Sequence, residues 1–265
     1  MNELALFAGA GGGILGGHLL GWQTVCAVEW EQYPASVLCA RQNDKILPPF
    51  PIWDDVQTFD GNPWRGIVQV VSGGFPCQDI SAAGKGAGIE GNKSSMWKHM
   101  ARIIGEVRPQ YVFVENSPML TTRGLGVVLA DLSTLGFNAK WGVVSASDVG
   151  APHRRDRIWI YAYAYEQYGG SKSQQPNDLI GKKIYDESCG LRTKVSNTDS
   201  AFIERNQCTE RGITKPTKPV KHSWWEIEPN VGRVANGVAA RVDRLKAIGN
   251  GQVPLCAATA WELLK

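Results

Sequence analysis

The chain has 265 residues, of which 43% are hydrophobic and 20% are charged, and its formal net charge is +3. A chain of this length buries a full core, so its six scattered cysteines, which form no C-x-x-C pair, are not needed as disulfides. The mild positive charge permits a nucleic-acid partner without demanding one. No apolar run approaches the roughly 20 residues that cross a bilayer, and we expect no secretory leader ahead of Leu4. We therefore expect a cytoplasmic protein that does not bind membranes.

The first predicted strand, residues 3–8 (ELALFA), is followed at once by a glycine-rich turn and the start of a helix. Glycines let the backbone turn sharply and let a ligand approach the helix N-terminus closely. A second predicted strand, residues 24–28, ends before Glu29, where an acid accepts hydrogen bonds from a ribose diol. This pattern fits dinucleotide, flavin and S-adenosylmethionine sites alike. A phosphate-loop lysine is missing, which disfavours nucleoside triphosphates.

Two residues near these strands have a candidate role in binding an adenine. Trp30 directly follows Glu29, and its flat ring could stack on the base, with simple packing as the alternative. Asp55 follows a third short segment and could reach the adenine amino group, with a surface-loop aspartate as the alternative.

A cysteine and a glutamate follow the next two strands of the chain. Residues 67–72 (IVQVVS) predict a buried strand, which Gly-Gly-Phe-Pro stops just before Cys77. Residues 111–115 (YVFVE) predict a strand that ends in Glu115. Carboxyl ends of parallel strands form the ligand-binding edge of an open α/β sheet, so both side chains should lie there. They suggest a thiolate nucleophile with an acid partner, although most free cysteines are small buried hydrophobes.

The remaining elements complete an alternating pattern and then stop. Predicted strands at residues 141–145 and 157–163 alternate with helical stretches at 95–107 and 126–135, which indicates a mainly parallel sheet covered by helices. Residues 165–231 lose this periodicity and are rich in polar and basic side chains. A disordered insertion is one interpretation. Because the stretch also holds tryptophans and other aromatic residues, we favour a small irregular lobe that faces a polyanion.

The ordered motifs resemble those of the cytosine-5 DNA methyltransferases of bacteria and phages. The matching segments, in chain order, are LFAGAGG at 6–12, EW at 29–30, DV at 55–56, FPCQDIS at 75–81, VEN at 114–116, HRRDR at 153–157 and AIGNGQVPLCAATAWELL at 247–264. The resemblance implies an α/β fold with a Rossmann-like methyltransferase sheet and a small, irregular target-recognition lobe. It divides the chain into a catalytic and cofactor-binding domain at 1–163, a target-recognition region at 164–231, and a segment at 232–265 that completes the catalytic domain.

The resemblance also implies a covalent mechanism. In this family a thiolate adds to carbon 6 of a flipped cytosine, and carbon 5 then takes the methyl group of S-adenosylmethionine. Cys77 would be the nucleophile, and Glu115 would be the acid that contacts ring nitrogen 3. Arg155 and Arg157 would favour the thiolate or hold the flipped base and its phosphate, with a surface salt-bridge pair as the alternative.

Further residues carry binding roles by the same resemblance. The residues implied to bind S-adenosylmethionine are Phe7, Ala8, Gly9, Gly11, Gly12, Glu29, Trp30, Asp55, Val56, Pro76, Met96 and Asn250. The residues implied to bind DNA are Gln78, Ser81, Lys85 and Asn116. Met96 has a place in the hydrophobic core as its alternative role. The expected partner is duplex DNA, acted on by a monomer without an obligatory protein partner.

Two positions depart from the family's pattern. His153 stands where glutamine is usual, and Gln252 alters the last motif, so a cofactor contact by Gln252 stays open. Three other functions remain as alternatives: a dinucleotide oxidoreductase, a catalytically silent DNA-binding relative, and an RNA methyltransferase. The first of these leaves the PCQ, VEN and HRRDR motifs unexplained.

Overall fold

A seven-stranded sheet forms the centre of the described part of the chain. The computed structural model describes residues 1–76, 96–165 and 241–265, which belong to one compact unit. The strands are β1 (Asn2–Leu6), β2 (Gln23–Val28), β3 (Ile52–Trp53), β4 (Val70–Gly73), β5 (Tyr111–Asn116), β6 (Phe137–Val144) and β7 (Arg157–Ala164). Their order is β3-β2-β1-β4-β5-β7-β6, and β7 runs antiparallel to both of its neighbours while the other pairs are parallel. The predicted mainly parallel α/β sheet is confirmed.

Helices cover the sheet. They are α1 (Gly12–Leu19), α2 (Gln32–Asn43), α3 (Met96–Val107), α4 (Leu120–Arg123), α5 (Leu125–Thr134), α6 (Arg241–Asn250) and α7 (Pro254–Leu264). Within the described ranges, none of them combines the length and the apolar character that a bilayer crossing requires.

One face of the sheet packs against α3 and α5. Valines and isoleucines at alternate positions of β4, β5 and β7 point to this face, as the two-residue period of a strand requires. The apolar residues of α3 recur every three or four positions, so they form one buried stripe. Trp97 belongs to this core, and its indole Nε1 donates to Asp131 Oδ2 at 2.8 Å.

The opposite face is aromatic and is covered by α1 and α7. Phe113 on β5 stacks on Trp159 of β7, with ring centroids 5.1 Å apart. Trp261 of α7 meets Phe113 and Trp22 edge-on, at centroid distances of 5.3 and 4.6 Å. Edge-to-face geometry is favourable for aromatic pairs, so this cluster holds the C-terminal helix on the sheet.

Some element boundaries differ from the prediction. β4 begins at Val70 rather than at residue 67, because the amides of Ile67 and Val68 both donate to the Trp64 carbonyl in a turn. β6 begins at Phe137 rather than at residue 141, because it pairs with β7 over its full length. Apart from its first two residues, the predicted target-recognition region at 164–231 lies outside the described residues, so the domain division stays a prediction.

Candidate active site

The carboxyl ends of the parallel strands open into one cavity of about 370 Å³. Its lining comes from the ends of β1, β2, β4 and β5, from the loop after β3, and from residues 247–251 near the C-terminus. Volumes of roughly 300–1,000 Å³ are typical of small-molecule sites. The predicted cofactor residues that line it are Phe7, Gly9, Glu29, Trp30, Asp55, Val56, Pro76, Met96 and Asn250. The cavity therefore lies where the sheet edge was expected to bind a ligand.

The loop after β1 turns sharply over this cavity. Phe7 and Gly9 have positive φ angles of 52° and 54°, in a backbone region that residues other than glycine adopt rarely. The amide of Gly9 donates to Glu29 Oε2 at 2.7 Å, and the amide of Ala8 donates to the Val28 carbonyl at 3.1 Å. Ala8 lines a smaller neighbouring cavity of about 30 Å³. The loop is thus fixed to the end of β2.

Glu29 and Trp30 present different surfaces to the cavity. Glu29 is 9% exposed, and its two carboxylate oxygens accept the amides of Gly9 and Glu31, each at 2.7 Å. Burial raises the pKa of Glu29, and these backbone amides partly offset that rise. Each oxygen keeps a lone pair for a ligand. Trp30 is 72% exposed, so the packing alternative for this ring is wrong.

The far wall of the cavity is formed by the loop after β3. Val56 is buried, and its carbonyl accepts a hydrogen bond from Arg102 Nη2 at 2.9 Å. Asp55 Oδ1 accepts the amide of Gln57 at 2.8 Å. Arg102 also donates to the Phe59 carbonyl at 2.9 Å, so α3 anchors this loop. Met96 is partly buried against the core, in agreement with its alternative role, and it also lines the cavity.

Glu115 is a buried acid at the end of β5. Its side chain is 10% exposed, and its Oε1 accepts Arg157 Nε at 2.8 Å. Its Oε2 lies 3.5 Å from Gln252 Nε2. Burial raises the pKa of Glu115, and the positive charges of Arg157 and Arg155 offset only part of that rise. A raised pKa favours the protonated form of this carboxyl group, which is the form that donates a proton.

Arg155 connects the sheet to the C-terminal segment. Its Nη2 donates to the carbonyls of Gly249 and Gly251, at 2.7 and 2.6 Å. These carbonyls flank Asn250, which lines the large cavity. The sequence did not indicate this contact, because its two partners lie more than 90 positions away.

The glycine turn packs against the same C-terminal segment. A Cβ atom on Gly12 would lie 2.1 Å from the Gln252 carbonyl oxygen, and one on Gly11 would lie 2.8 Å from the Leu38 side chain. Among the described residues, Gly11 and Gly12 are not part of the lining of the large cavity. Close backbone packing therefore explains these two glycines, and their predicted cofactor contacts stay untested.

Similarity to known proteins identifies the family of this chain. The family model described as C-5 cytosine-specific DNA methylase matches residues 1–243. This chain belongs to that family. Among similar members, the type II methyltransferase M.NgoBI of Neisseria gonorrhoeae is 32% identical over 167 residues, which cover 62% of this chain and 50% of the relative. The type II methyltransferase M.Sau3AI of Staphylococcus aureus is 34% identical over 203 residues, which cover 72% and 48%.

A solved structure shares the fold of this cytosine-specific DNA methylase family member. The Entamoeba histolytica methyltransferase EhMeth superposes with a TM-score of 0.52 at 17% identity, over 62% of this chain and 52% of that one. The chain spans about half the length of the curated relatives it matches.

The fold brings some of the predicted site residues together, and other predicted residues lie outside the described ranges. Cys77, Gln78, Ser81 and Lys85 lie outside them. Asn116 is buried, and its Nδ2 donates to the Phe75 carbonyl at 3.1 Å while its Oδ1 accepts the amide of Ser117 at 2.8 Å. Its amide thus holds the segment that leads to Cys77. His153 is exposed. The contact of Gln252 with the acid was not foreseen from the sequence.

Proposed function

We propose that this protein is a DNA (cytosine-5-)-methyltransferase that modifies a flipped cytosine in duplex DNA through a covalent cysteine intermediate. The observation that carries the proposal is the buried Glu115, paired with Arg157 at 2.8 Å and opening onto the large cavity at the strand edge. The family membership and the type II methyltransferases among the relatives support the same reaction.

S-adenosylmethionine is the proposed methyl donor, and it would supply an electrophilic methyl group on a sulfonium. The cavity has the volume for such a molecule, and its polar groups suit the nucleoside half. Glu29 would accept the ribose hydroxyls, Trp30 would stack on the adenine, and Asp55 with Val56 would meet the edge of that base. Further contacts are assigned to Phe7, Ala8, Gly9, Gly11, Gly12, Pro76, Met96 and Asn250.

The cytosine chemistry divides between two side chains. The Cys77 thiolate forms a bond to carbon 6, and the displaced electron pair is stabilised as Glu115 shares its proton with ring nitrogen 3. Carbon 5 would then take the methyl group, the bond between that methyl and the sulfonium sulfur would break, and S-adenosylhomocysteine would leave. A general base removes the carbon 5 proton, the bond between sulfur and carbon 6 breaks, and Glu115 recovers its proton as the ring becomes aromatic again. The positive charges of Arg155 and Arg157 would favour the thiolate.

Both reacting carbons are shielded by stacking in a duplex, so the target base must leave the helix, at a cost of about a few kcal/mol. Gln78, Ser81 and Lys85 follow Cys77 closely in the chain and are assigned to DNA contacts. Asn116 is assigned a supporting part, because its amide bonds to the Phe75 carbonyl. Residues 164–231 would supply target recognition, and the enzyme would act as a monomer.

A direct test uses labelled S-adenosylmethionine with mixed-sequence duplex DNA, followed by base-resolution mapping of methylcytosine. We expect label at carbon 5 of cytosine in a defined sequence context. Transfer RNA in a parallel reaction tests the RNA alternative, and methylation of the RNA alone would contradict the proposal.

The covalent step has its own test in a duplex that contains 5-fluorocytosine. Fluorine blocks loss of the carbon 5 substituent, so wild-type enzyme should accumulate a protein–DNA adduct that mass spectrometry maps to Cys77. Cys77→Ser should form no adduct and lose methyl transfer while it still binds S-adenosylmethionine. Cys39→Ser, at an exposed cysteine of α2, serves as the matched control and should behave as wild type. Turnover by Cys77→Ser would exclude the assigned nucleophile.

A further inference from the structure

The carboxamide of Gln252 lies in a narrow slot between two glycines. A Cβ atom on Gly13 of α1 would lie 2.3 Å from Gln252 Oε1, and one on Gly74, just after β4, would lie 2.9 Å from Gln252 Nε2. Real Cβ atoms do not come this close to other heavy atoms, so a side chain at either position would collide with the amide. The two glycines leave the space that the amide occupies. The slot fixes the amide beside Gly74, the residue that follows β4.

The two oxygens of Glu115 face different donors. Oε1 receives the charged Arg157 Nε at 2.8 Å, whereas Oε2 lies 3.5 Å from the neutral amide of Gln252. A proton on Oε1 would face a guanidinium, so Oε2 is the oxygen that can carry the acidic proton. A distance of 3.5 Å is long for a hydrogen bond, and contacts of this kind shorten when substrate closes a site.

The charged groups that the described structure places around Glu115 come from one side. Among the described residues, the charges that act on this carboxyl group are those of Arg157 and Arg155, on β7 and just before it. Gly74 contributes no side chain from the β4 side, where a Cβ would lie 2.6 Å from Glu115 Oε2. The C-terminal segment contributes the neutral Gln252. Gln252 is thus the one neutral donor that the described structure aims at Oε2.

We propose that Gln252 is a positioning residue, whose amide holds Oε2 of Glu115 in the orientation that delivers its proton to the flipped base. This inference rests on the proposed function. Because an amide donor favours the ionised carboxylate, Gln252 also keeps the pKa of Glu115 from rising further.

Two substitutions test the proposal. Gln252→Met keeps the length of the side chain and removes the donor, and Gln252→Glu keeps the shape and adds a negative charge. We expect kcat to fall roughly 10- to 100-fold in both variants, because the acid is misplaced, while the KM for S-adenosylmethionine changes by less than about threefold. Activity requires protonated Glu115, and both substitutions should raise the pKa of this acid. The alkaline limb of the pH profile of kcat should therefore move to higher pH in both variants, and further in Gln252→Glu.

Control variants separate a positioning role of Gln252 from a packing role. Gln110→Met, at an exposed glutamine before β5, should leave the pH profile unchanged. Melting temperatures and circular dichroism identify any variant that fails to fold. If Gln252→Met fails to fold, the near-isosteric Gln252→Glu still tests the proposal. A loss of S-adenosylmethionine affinity with an unshifted alkaline limb would overturn the positioning role. Lack of methyl transfer by the wild-type enzyme would instead contradict the proposed function itself.

Discussion

Glu3 is a second carboxyl group that the fold buries completely, away from the candidate acid. It lies at the start of β1 and accepts the hydroxyls of Thr24 and Ser72, each at 2.6 Å. Burial raises the pKa of Glu3 to about 7, although these two hydrogen bonds oppose the rise. Near neutral pH, the folded protein therefore exchanges a proton with solvent at a site that the proposed reaction does not use.

Glu3 makes the stability of the protein depend on pH. Its pKa in the folded protein lies above the unfolded value, so its contribution is complete below about pH 4.5 and is lost as the pH rises through about 7. Glu3→Gln should remove this dependence. As the pH increases, the free energy of unfolding of Glu3→Gln should rise relative to that of wild type, by up to about 3 kcal/mol. Urea unfolding between pH 5 and 8 measures the difference, with the exposed Glu262→Gln as control.

The candidate acid should respond in a different way from Glu3. Glu115→Gln keeps the shape of the side chain but has no acidic proton to share. We expect methyl transfer to fall by roughly 10²- to 10⁴-fold, while the affinity for S-adenosylmethionine stays within a few-fold of wild type. Single-turnover kinetics and calorimetry measure the two effects. Undiminished turnover would remove Glu115 from the mechanism.

The sequence predicted some of these residues and not others, for a physical reason. VEN and HRRDR predict Glu115 and Arg157 by resemblance, and the structure joins the two by an ion pair. Glu3 carries no such signal, because its partners lie 21 and 69 positions away on two other strands. The burial of this carboxyl group is explained only by the two hydroxyls that donate to it in the folded structure.

At the scale of elements, α1 and the segment before α7 share one interface. Gly12 begins α1 directly against the Gln252 carbonyl, where a Cβ atom would approach to 2.1 Å. Gly12→Ala should therefore separate the two elements, lower the free energy of unfolding by about 1–3 kcal/mol, and weaken S-adenosylmethionine binding. Gly126→Ala, in α5 with open space around its Cβ, should cause no loss. Equal melting temperatures for the two variants would contradict the close packing.

Arg155 should affect ligand binding in the large cavity through the backbone that it holds. Arg155→Lys keeps the charge but replaces a planar group that donates to two carbonyls with a single ammonium. We expect the affinity for S-adenosylmethionine to fall about tenfold, because the hydrogen bonds that fix residues 249–251 are weakened. Calorimetric titration measures it. Arg154→Lys, at an arginine whose side chain is 80% exposed, is the matched control, and equal affinities would count against this role.

Element types were easier to predict from the sequence than element boundaries. Short runs of β-branched and aromatic residues identify β4, β5 and β7, because such side chains are enriched in strands. The start of β4 depends on the turn at Trp64, and the start of β6 depends on pairing with β7, and neither cause is local to the strand. The packing of α7 on the aromatic face was equally hidden, because the partners of Trp261 are spread over several elements.

At the scale of the whole molecule, the cavity joins the strand ends to the C-terminal segment, so a ligand there should stabilise the folded domain. S-adenosylmethionine at 100 times its Kd should add about 2.7 kcal/mol to the free energy of unfolding. For a protein of this size that corresponds to a rise in Tm of roughly 5–10 °C, which scanning calorimetry measures. The dinucleotide NAD at the same concentration should produce no rise, and the reverse result would favour an oxidoreductase.

The aromatic face also bears on how the protein is made. Trp22, Phe113 and Trp159 are translated well before Trp261, the side chain that covers them. A nascent chain therefore exposes a wide apolar surface until residue 261 has left the ribosome, and the wall of the large cavity that Asn250 lines is missing until residue 250 has done so. Synthesis should consequently depend on chaperones that shield apolar chains, and truncation ahead of α7 should yield aggregates rather than a weaker enzyme.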